Sequence, residues 1–402
     1  MPEFSLRMTT MEKSALVLRN LFGAMNDPEI ISFGGGAPAK EALPVDIVRD
    51  ITNDIMRLDR RGVEALQYGG VMGVMDLREV IVKDLLAPKG VKADAGKVMI
   101  TAGGLEGINL LCQVYIDPGD VILVESPTFV QAVEIFQMFQ AKCIPVEMDD
   151  NGMIPEDLEA KIIQYRPKMV YVIPTFQNPT GITLSQERRQ IIAEFGSKYD
   201  VVILEDDPYR DIRYSGTDLL PIKSYDRTGH TVLANSFSKI FSPGSRLGYI
   251  LANDEVTMKL FDAKTATNSH SSMLPQIVCA EFFKRGYFPA HHKMICDLYR
   301  ERRDAMIECI DEYFPAGTKR IYPDGGLFTW AELPGGINTT ELLAEATSRP
   351  DVKVAYVAGE GFFVEGGGKG SNCMRISFGG VPLEKIRLGT EKLGRLIRSK
   401  LK

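Results

Sequence analysis

The chain has 402 residues, of which 45% are hydrophobic and 25% charged, and it carries a formal net charge of −6. That length holds one large domain with a sizeable core plus a smaller one, and the composition is that of an ordinary globular protein. An acidic balance with no basic stripe excludes nucleic acid as the main partner.

In chain order, the N-terminus Met1-Pro2-Glu3-Phe4-Ser5-Leu6-Arg7 lacks the apolar stretch of a leader, and no apolar run approaches membrane-spanning length. A cytoplasmic protein without a membrane partner is expected. Residues 1–45 have no sheet pattern and read as an arm that joins a small C-terminal domain. From about residue 97 to 252, short apolar strand-like runs alternate with amphipathic helical ones, which predicts an α/β domain with a largely parallel sheet and helices on both faces. The strand candidates are Val98–Thr101, Val121–Val124, Cys143–Val146, Met169–Ile173, Val201–Leu204, Thr231–Ala234 and Gly248–Leu251, a sheet of seven-stranded type.

After the first candidate, the turn Ala102-Gly103-Gly104-Leu105-Glu106-Gly107 leads into a helical stretch and offers backbone N–H groups to an anion, without dinucleotide-type glycine spacing. Farther on, a long charged helix is predicted over 288–313. Strands follow around Leu327–Trp330, Val354–Tyr356 and Met374–Phe378, and a basic amphipathic helix ends the chain. This change of pattern divides the chain into the arm at 1–45, a large domain at 46–290 and a smaller α+β domain at 291–402. The run Gly366-Gly367-Gly368-Lys369-Gly370 fails as a P-loop, because Phe363 and Gly370 stand where Gly and Ser/Thr belong; it reads as a flexible loop.

The six cysteines form no C-x-x-C pair and sit mostly in apolar runs, as reduced core residues do, and the four histidines have no metal-ligand spacing. No metal is expected.

The run Ser236-Phe237-Ser238-Lys239, with Arg246 seven residues beyond the lysine, sets an amine beside small hydroxyls and a guanidinium. A lysine forms a Schiff base only when part of it is unprotonated, which burial or nearby positive charge arranges. A carbonyl-trapping lysine beside anion ligands suits a phosphorylated aldehyde, and pyridoxal phosphate is the candidate cofactor. Taken alone, the run reads equally as a strand end with an exposed lysine and a Ser-rich turn.

Ligands of α/β folds gather at the carboxyl ends of parallel strands. Those ends carry Asn178 in Asn178-Pro179-Thr180-Gly181, Asp206 and Tyr209 in Glu205-Asp206-Asp207-Pro208-Tyr209, and Phe129 in Glu125-Ser126-Pro127-Thr128-Phe129. A carboxylate keeps a pyridine nitrogen protonated, a phenol and an amide hold a ring hydroxyl, and an aromatic ring stacks. The plain alternatives are a turn cap for Asp206, core packing for Phe129 and an edge-strand surface charge for Arg375. Strand alternation points Glu205 and Asp207 away from Asp206.

Asn178-Pro179-Thr180-Gly181, Asp206-x-x-Tyr209, Ser236-x-Ser238-Lys239 and Arg246-x-Gly248-Tyr249 together resemble the fold-type I, class I/II pyridoxal phosphate aminotransferases, over nearly the whole chain from Arg19 to Arg375. The resemblance implies that 46–290 is the cofactor-binding domain and that Lys239 bonds the cofactor and moves the substrate proton. It implies that Asp206 pairs with the pyridine nitrogen, Asn178 and Tyr209 hold the ring oxygen, and Phe129 stacks. Gly104 and Leu105 would hold the phosphate by backbone N–H groups, with Ser236, Ser238 and Arg246. Gly104 departs from a family that often has a hydroxyl residue there. Arg375 matches the arginine that clamps the substrate carboxylate, next to Asn178. Tyr68 matches a tyrosine that reaches the phosphate in the neighbouring subunit, which implies a homodimer with shared sites.

Ser14–Arg19 and Ile31–Pro38 are similar to the arm of the 2-aminoadipate and kynurenine aminotransferase branch. There Arg19 would meet a distal carboxylate and Gly36 would let the backbone approach substrate; a solvated helix arginine is the alternative for Arg19. The expected activity is ping-pong transfer of an amino group from 2-aminoadipate, aromatic or aliphatic amino acids to a 2-oxo acid, 2-oxoglutarate. Other chemistry of the same cofactor, β-elimination or decarboxylation, and an effector-sensing protein of the same fold are the alternatives. Regulators of that kind carry a winged helix ahead of the fold, for which a pattern starting by residue ~14 leaves no room.

Overall fold

The computed structural model describes residues 3–5, 7–8 and 27–401. Arg19 therefore lies outside the described residues.

The first strand, β1 (Ile31–Ser32), is followed by helices Val45–Ile55 and Met75–Val80 and then by the central sheet. Its strands are β2 (Val98–Thr101), β3 (Val121–Ser126), β4 (Lys142–Asp149), β5 (Gly152–Met153), β6 (Met169–Val172), β7 (Val202–Asp206), β8 (Thr231–Ser236) and β9 (Gly248–Leu251), in spatial order β2-β9-β8-β7-β6-β3-β4-β5. The seven expected strands are all present, and β5 adds an eighth at the edge. That two-residue strand is too short to show alternation; its only sequence signal is the Asp150-Asn151-Gly152 turn that folds it back on β4.

Parallel pairing runs through β4, β3, β6, β7 and β8, while β9 is antiparallel to both β8 and β2. The reversal has a local cause. Between β8 and β9 lies only the turn Phe237–Leu247, with no crossover helix to return the chain for parallel entry. Alternate residues of the sheet feed two cores: Ile122, Val124, Tyr171 and Leu204 meet one layer, while Leu123, Val170, Val172 and Ile203 meet the other. Both faces are thus covered, so β6 and β7 are buried along their whole length.

Helix Phe288–Tyr313 occupies the expected span. Beyond it, β10 (Lys319–Arg320), β11 (Phe328–Glu332), β13 (Val357–Ala358) and β14 (Cys373–Ser377) form an antiparallel sheet in the order β10-β11-β14-β13, and helix Leu383–Ser399 closes the chain. The expectation of no sheet in the N-terminal segment needs correction. β1 pairs in parallel with β12 (Val354–Ala355), and Phe33 N–H and C=O bond Ala355 and Ser377 at 2.7 and 2.8 Å. Two residues carry no detectable period, so this pairing is set by β12, with which β1 forms a separate two-stranded sheet. The glycine run 366–370 is tied down by Lys369, whose Nζ donates to Glu365 and Glu147 at 2.7 and 2.8 Å. Among the described residues no helix is long and apolar enough to cross a membrane, and no cluster of potential ligands could hold a metal.

Candidate active site

The carboxyl ends of β2, β3, β6, β7 and β8 open on one cavity of about 160 Å³. Lys239 reaches it from the turn after β8, because Phe237, Ile240 and Phe241 on the same turn are buried and hold it against the core. Its Nζ donates to the Gly36 carbonyl at 2.7 Å. Burial, with help from the Arg375 and Arg246 guanidinium groups, pushes this ammonium down to about 8. Relative to an ordinary lysine, that raises the free amine at neutral pH by roughly two orders of magnitude.

Asp206 ends β7, is buried, and accepts a hydrogen bond from the Tyr171 hydroxyl at 2.7 Å. Burial pushes its carboxyl up to about 7. Strand alternation sends its neighbours elsewhere: Glu205 accepts from the Ile222 and Lys223 N–H groups, both at 2.8 Å, and Asp207 lies 3.6 Å from Arg210. Tyr209 and Asn178 line the cavity with Asp206, and burial pushes the Tyr209 phenol up.

At the other end of the cavity, Gly104 and Leu105 are the first two residues of helix Gly104–Tyr115. Four N–H groups at such an end lack helical acceptors and favour an anion. Gly103 has φ +85°, and a Cβ there would lie 2.3 Å from Arg246 Nη2, so the guanidinium packs where a side chain would be. Ser236 Oγ donates to Ser238 Oγ at 2.9 Å beside it. Phe129, half-buried, lines the wall.

Arg375, from β14, is 7% exposed, and its guanidinium lies 4.4 Å from the Phe328 ring centre. Nη1 donates to Asn178 Oδ1 at 2.9 Å, Nη2 donates to the Gly34 carbonyl at 2.6 Å, and Nε has no partner. Burial lowers its guanidinium to about 10.

The sequence model of the family "Aminotransferase class I and II" matches residues 28–393. The chain belongs to that family. It is 37% identical over 390 residues to aromatic-amino-acid aminotransferase 1 of Thermococcus litoralis, covering 96% of this chain and 92% of the relative. To the 2-aminoadipate transaminase of Thermus thermophilus it is 32% identical over 391 residues, covering 96% and 95%. The solved kynurenine aminotransferase of Pyrococcus horikoshii, in complex with PMP, superposes with a TM-score of 0.93 at 35% identity, covering 99% of this chain and 98% of that one. The protein is accordingly a pyridoxal phosphate-dependent aminotransferase of fold type I.

The aminotransferase's cavity fits the cofactor on its own donor set: orphan helix N–H groups, two hydroxyls and Arg246 at one end, and a buried carboxyl and an amine at the other. Of the residues expected from sequence, Gly104, Leu105, Phe129, Asn178, Asp206, Tyr209, Ser236, Ser238, Lys239 and Arg246 line it. Arg375 and Gly36 reach it through Asn178 and Lys239. Tyr68 is not brought there: it is 87% exposed, and its ring meets the His270 ring edge-on at 5.8 Å. Sequence reasoning missed Tyr171, Gln131 and Ile173. For Tyr171 a signal existed, since a phenol among the aliphatic residues of a buried strand needs a partner for its O–H.

Proposed function

We propose that this aminotransferase moves the amino group of 2-aminoadipate, aromatic or aliphatic amino acids to 2-oxoglutarate by a ping-pong course. The donor leaves as its 2-oxo acid in one half-reaction, and the acceptor leaves as glutamate in the other. Support for the donor range comes from relatives named for aromatic amino acids, 2-aminoadipate and kynurenine. The observation that carries the reading is the meeting at one cavity of a buried lysine beside two guanidinium groups, a buried carboxyl and, through Asn178, a buried arginine.

Bound pyridoxal phosphate supplies a carbonyl that captures amines and a ring that takes up electrons as the substrate Cα–H bond breaks. Lys239 would be the residue that holds the cofactor between turnovers and, as a free amine once substrate has displaced it, would carry the proton from the substrate Cα to the cofactor. Asp206, whose ionised form Tyr171 favours, would keep a proton on the pyridine nitrogen, while Asn178 and Tyr209 would hold the ring oxygen and Phe129 would stack. Gly104, Leu105, Ser236, Ser238 and Arg246 hold the phosphate, and Arg375 grips the substrate α-carboxylate beside Asn178 and the Gly36 backbone.

The domains are placed at 1–45 (arm), 46–290 (cofactor-binding) and 291–402 (small domain). Tyr68 serves the phosphate of a second copy in a homodimer; its exposure, with Leu58 91% and Leu66 74% exposed on the same segment, favours burial against a partner. Six free cysteines suit a cytoplasmic enzyme. Arg19 is assigned to a distal carboxylate of acidic donors.

A panel of 2-aminoadipate, an aromatic donor and a branched donor with 2-oxoglutarate, repeated on Arg19→Ala, tests the reading. Glutamate should form with each donor, and Arg19→Ala should slow 2-aminoadipate selectively. Release of ammonia or CO₂ without transfer to any 2-oxo acid would sink the proposed reaction.

A further inference from the structure

Behind the phosphate turn stands a cation that the roles above leave unused. Lys264, in helix Asp254–Thr267, has no exposed side-chain surface, and its Nζ lies 2.7 Å from Glu106 Oε2. Glu106 is the third residue of the helix that begins at Gly104, and the same oxygen accepts from the Ala102 N–H at 2.5 Å. Lys264 also donates to Ser271 Oγ at 3.1 Å and to Asn268 Oδ1 at 3.2 Å. Ser271 Oγ in turn donates to the Ile100 carbonyl at 3.3 Å, and Asn268 Nδ2 donates to Glu106. A buried cation thus joins the end of β2 to the first turn of the helix.

The turn itself has little side-chain support. Gly103 and Gly104 have no side chains, and the turn is held by the Thr101 hydroxyl on the Gly103 carbonyl at 2.9 Å and by Arg246 Nη2 on the Ala102 carbonyl at 3.4 Å. Glu106 adds a further restraint by holding Ala102. Yet a carboxylate in the first turn, although favoured by the helix dipole, repels a phosphate dianion at the same terminus. A buried lysine in contact with it cancels that repulsion, and it stays in place because leaving either partner alone in the interior is costly.

We propose that Glu106 and Lys264 are positioning residues for the cofactor phosphate: Glu106 fixes the Ala102–Gly104 turn, and Lys264 removes the charge that Glu106 would set against the phosphate. This rests on the reading that the Gly104 and Leu105 N–H groups hold that phosphate.

The test is equilibrium titration of the full-length, cofactor-stripped chain with pyridoxal phosphate and with pyridoxal, following the visible absorbance of the lysine-bound form. The ratio of the two affinities isolates the phosphate. Lys264→Met should lower that ratio by about tenfold or more, through pyridoxal phosphate alone. In Glu106→Gln, whose amide oxygen still accepts from Ala102, the ratio should hold or rise. The double variant, with neither charge, should return to within about threefold of the natural chain. Equal weakening of both ligands in Lys264→Met, no weakening of either, or a double variant as weak as the single would overturn the proposal. If Lys264→Met does not fold, Glu106→Gln decides, since a fall in its ratio beyond about threefold overturns the proposal and any other value supports it. Arg246→Ala separates the two layers of inference. A ratio that falls there but not in Lys264→Met rejects the pair and keeps the phosphate site, whereas a natural chain that binds pyridoxal as tightly as its phosphate rejects the site.

Discussion

Lys239, Asp206 and Asn178 stand at or beyond the ends of neighbouring strands of one eight-stranded sheet, whereas Arg375 comes from a four-stranded antiparallel sheet near the end of the chain. The first group is fixed by strand register: once β6, β7 and β8 pair, the ends of all three fall on one edge. Arg375 has no such guarantee. It meets Asn178 across 197 residues of sequence and Gly34 across 341, and the Phe328 ring beneath it belongs to the adjacent strand of its own sheet. Under the proposed roles, the chemistry common to many substrates sits on one layer, and substrate recognition is assembled from segments distant in sequence.

This contrast orders the expected effects of substitution. On the proposed role of Lys239, Lys239→Ala removes both the bond to the cofactor and the proton carrier, so transamination should fall by about 10⁴-fold or more, and the visible absorbance of the lysine-bound cofactor should vanish. Thermal unfolding of the cofactor-free chain should move little, because among the described residues the Lys239 side chain makes one hydrogen bond, to Gly36, and a distant contact with the Tyr209 ring. Survival of that absorbance would remove Lys239 from its role. Arg375→Lys keeps a charge but loses the planar fork that bonds Asn178 and Gly34 together. A loss on the order of 10²-fold in kcat/KM, carried mainly by KM, is expected. The contrast between the two regions breaks if steady-state kinetics place the Arg375 effect in kcat alone.

Much of the first region was legible in the sequence, because strand ends and their unusual polar residues are local features. Asp206, Asn178 and Lys239 each follow an apolar run long enough to announce a strand. What the sequence hid was pairing. No periodicity marks Ile31–Ser32 or Gly152–Met153 as strands, since each owes its conformation to a partner far away or across a turn. The antiparallel entry of β9 was likewise invisible in composition and followed from the missing crossover. Lys264 and Glu106 illustrate the same limit: 158 residues apart, each reads as an ordinary helix charge until the fold buries one against the other.

The smallest effect concerns the support of Asp206. Its folded carboxyl lies at about 7, against roughly 4 in an unfolded chain. The folded state therefore binds this proton more tightly, and the stability it contributes is present in full below about pH 4 and is lost as pH rises through 7. Tyr171 works against that loss, because its hydroxyl donates to the ionised carboxylate and pulls the carboxyl back down. Tyr171→Phe should then cost the cofactor-free chain about 1–2 kcal/mol near pH 8, where Asp206 is ionised, and clearly less near pH 5, where it is protonated. Denaturant unfolding of both chains at the two pH values checks this. An equal cost at both would mean that Tyr171 acts through packing rather than through the carboxylate. In that case the rigid sheet end would hold its acid by strand register alone.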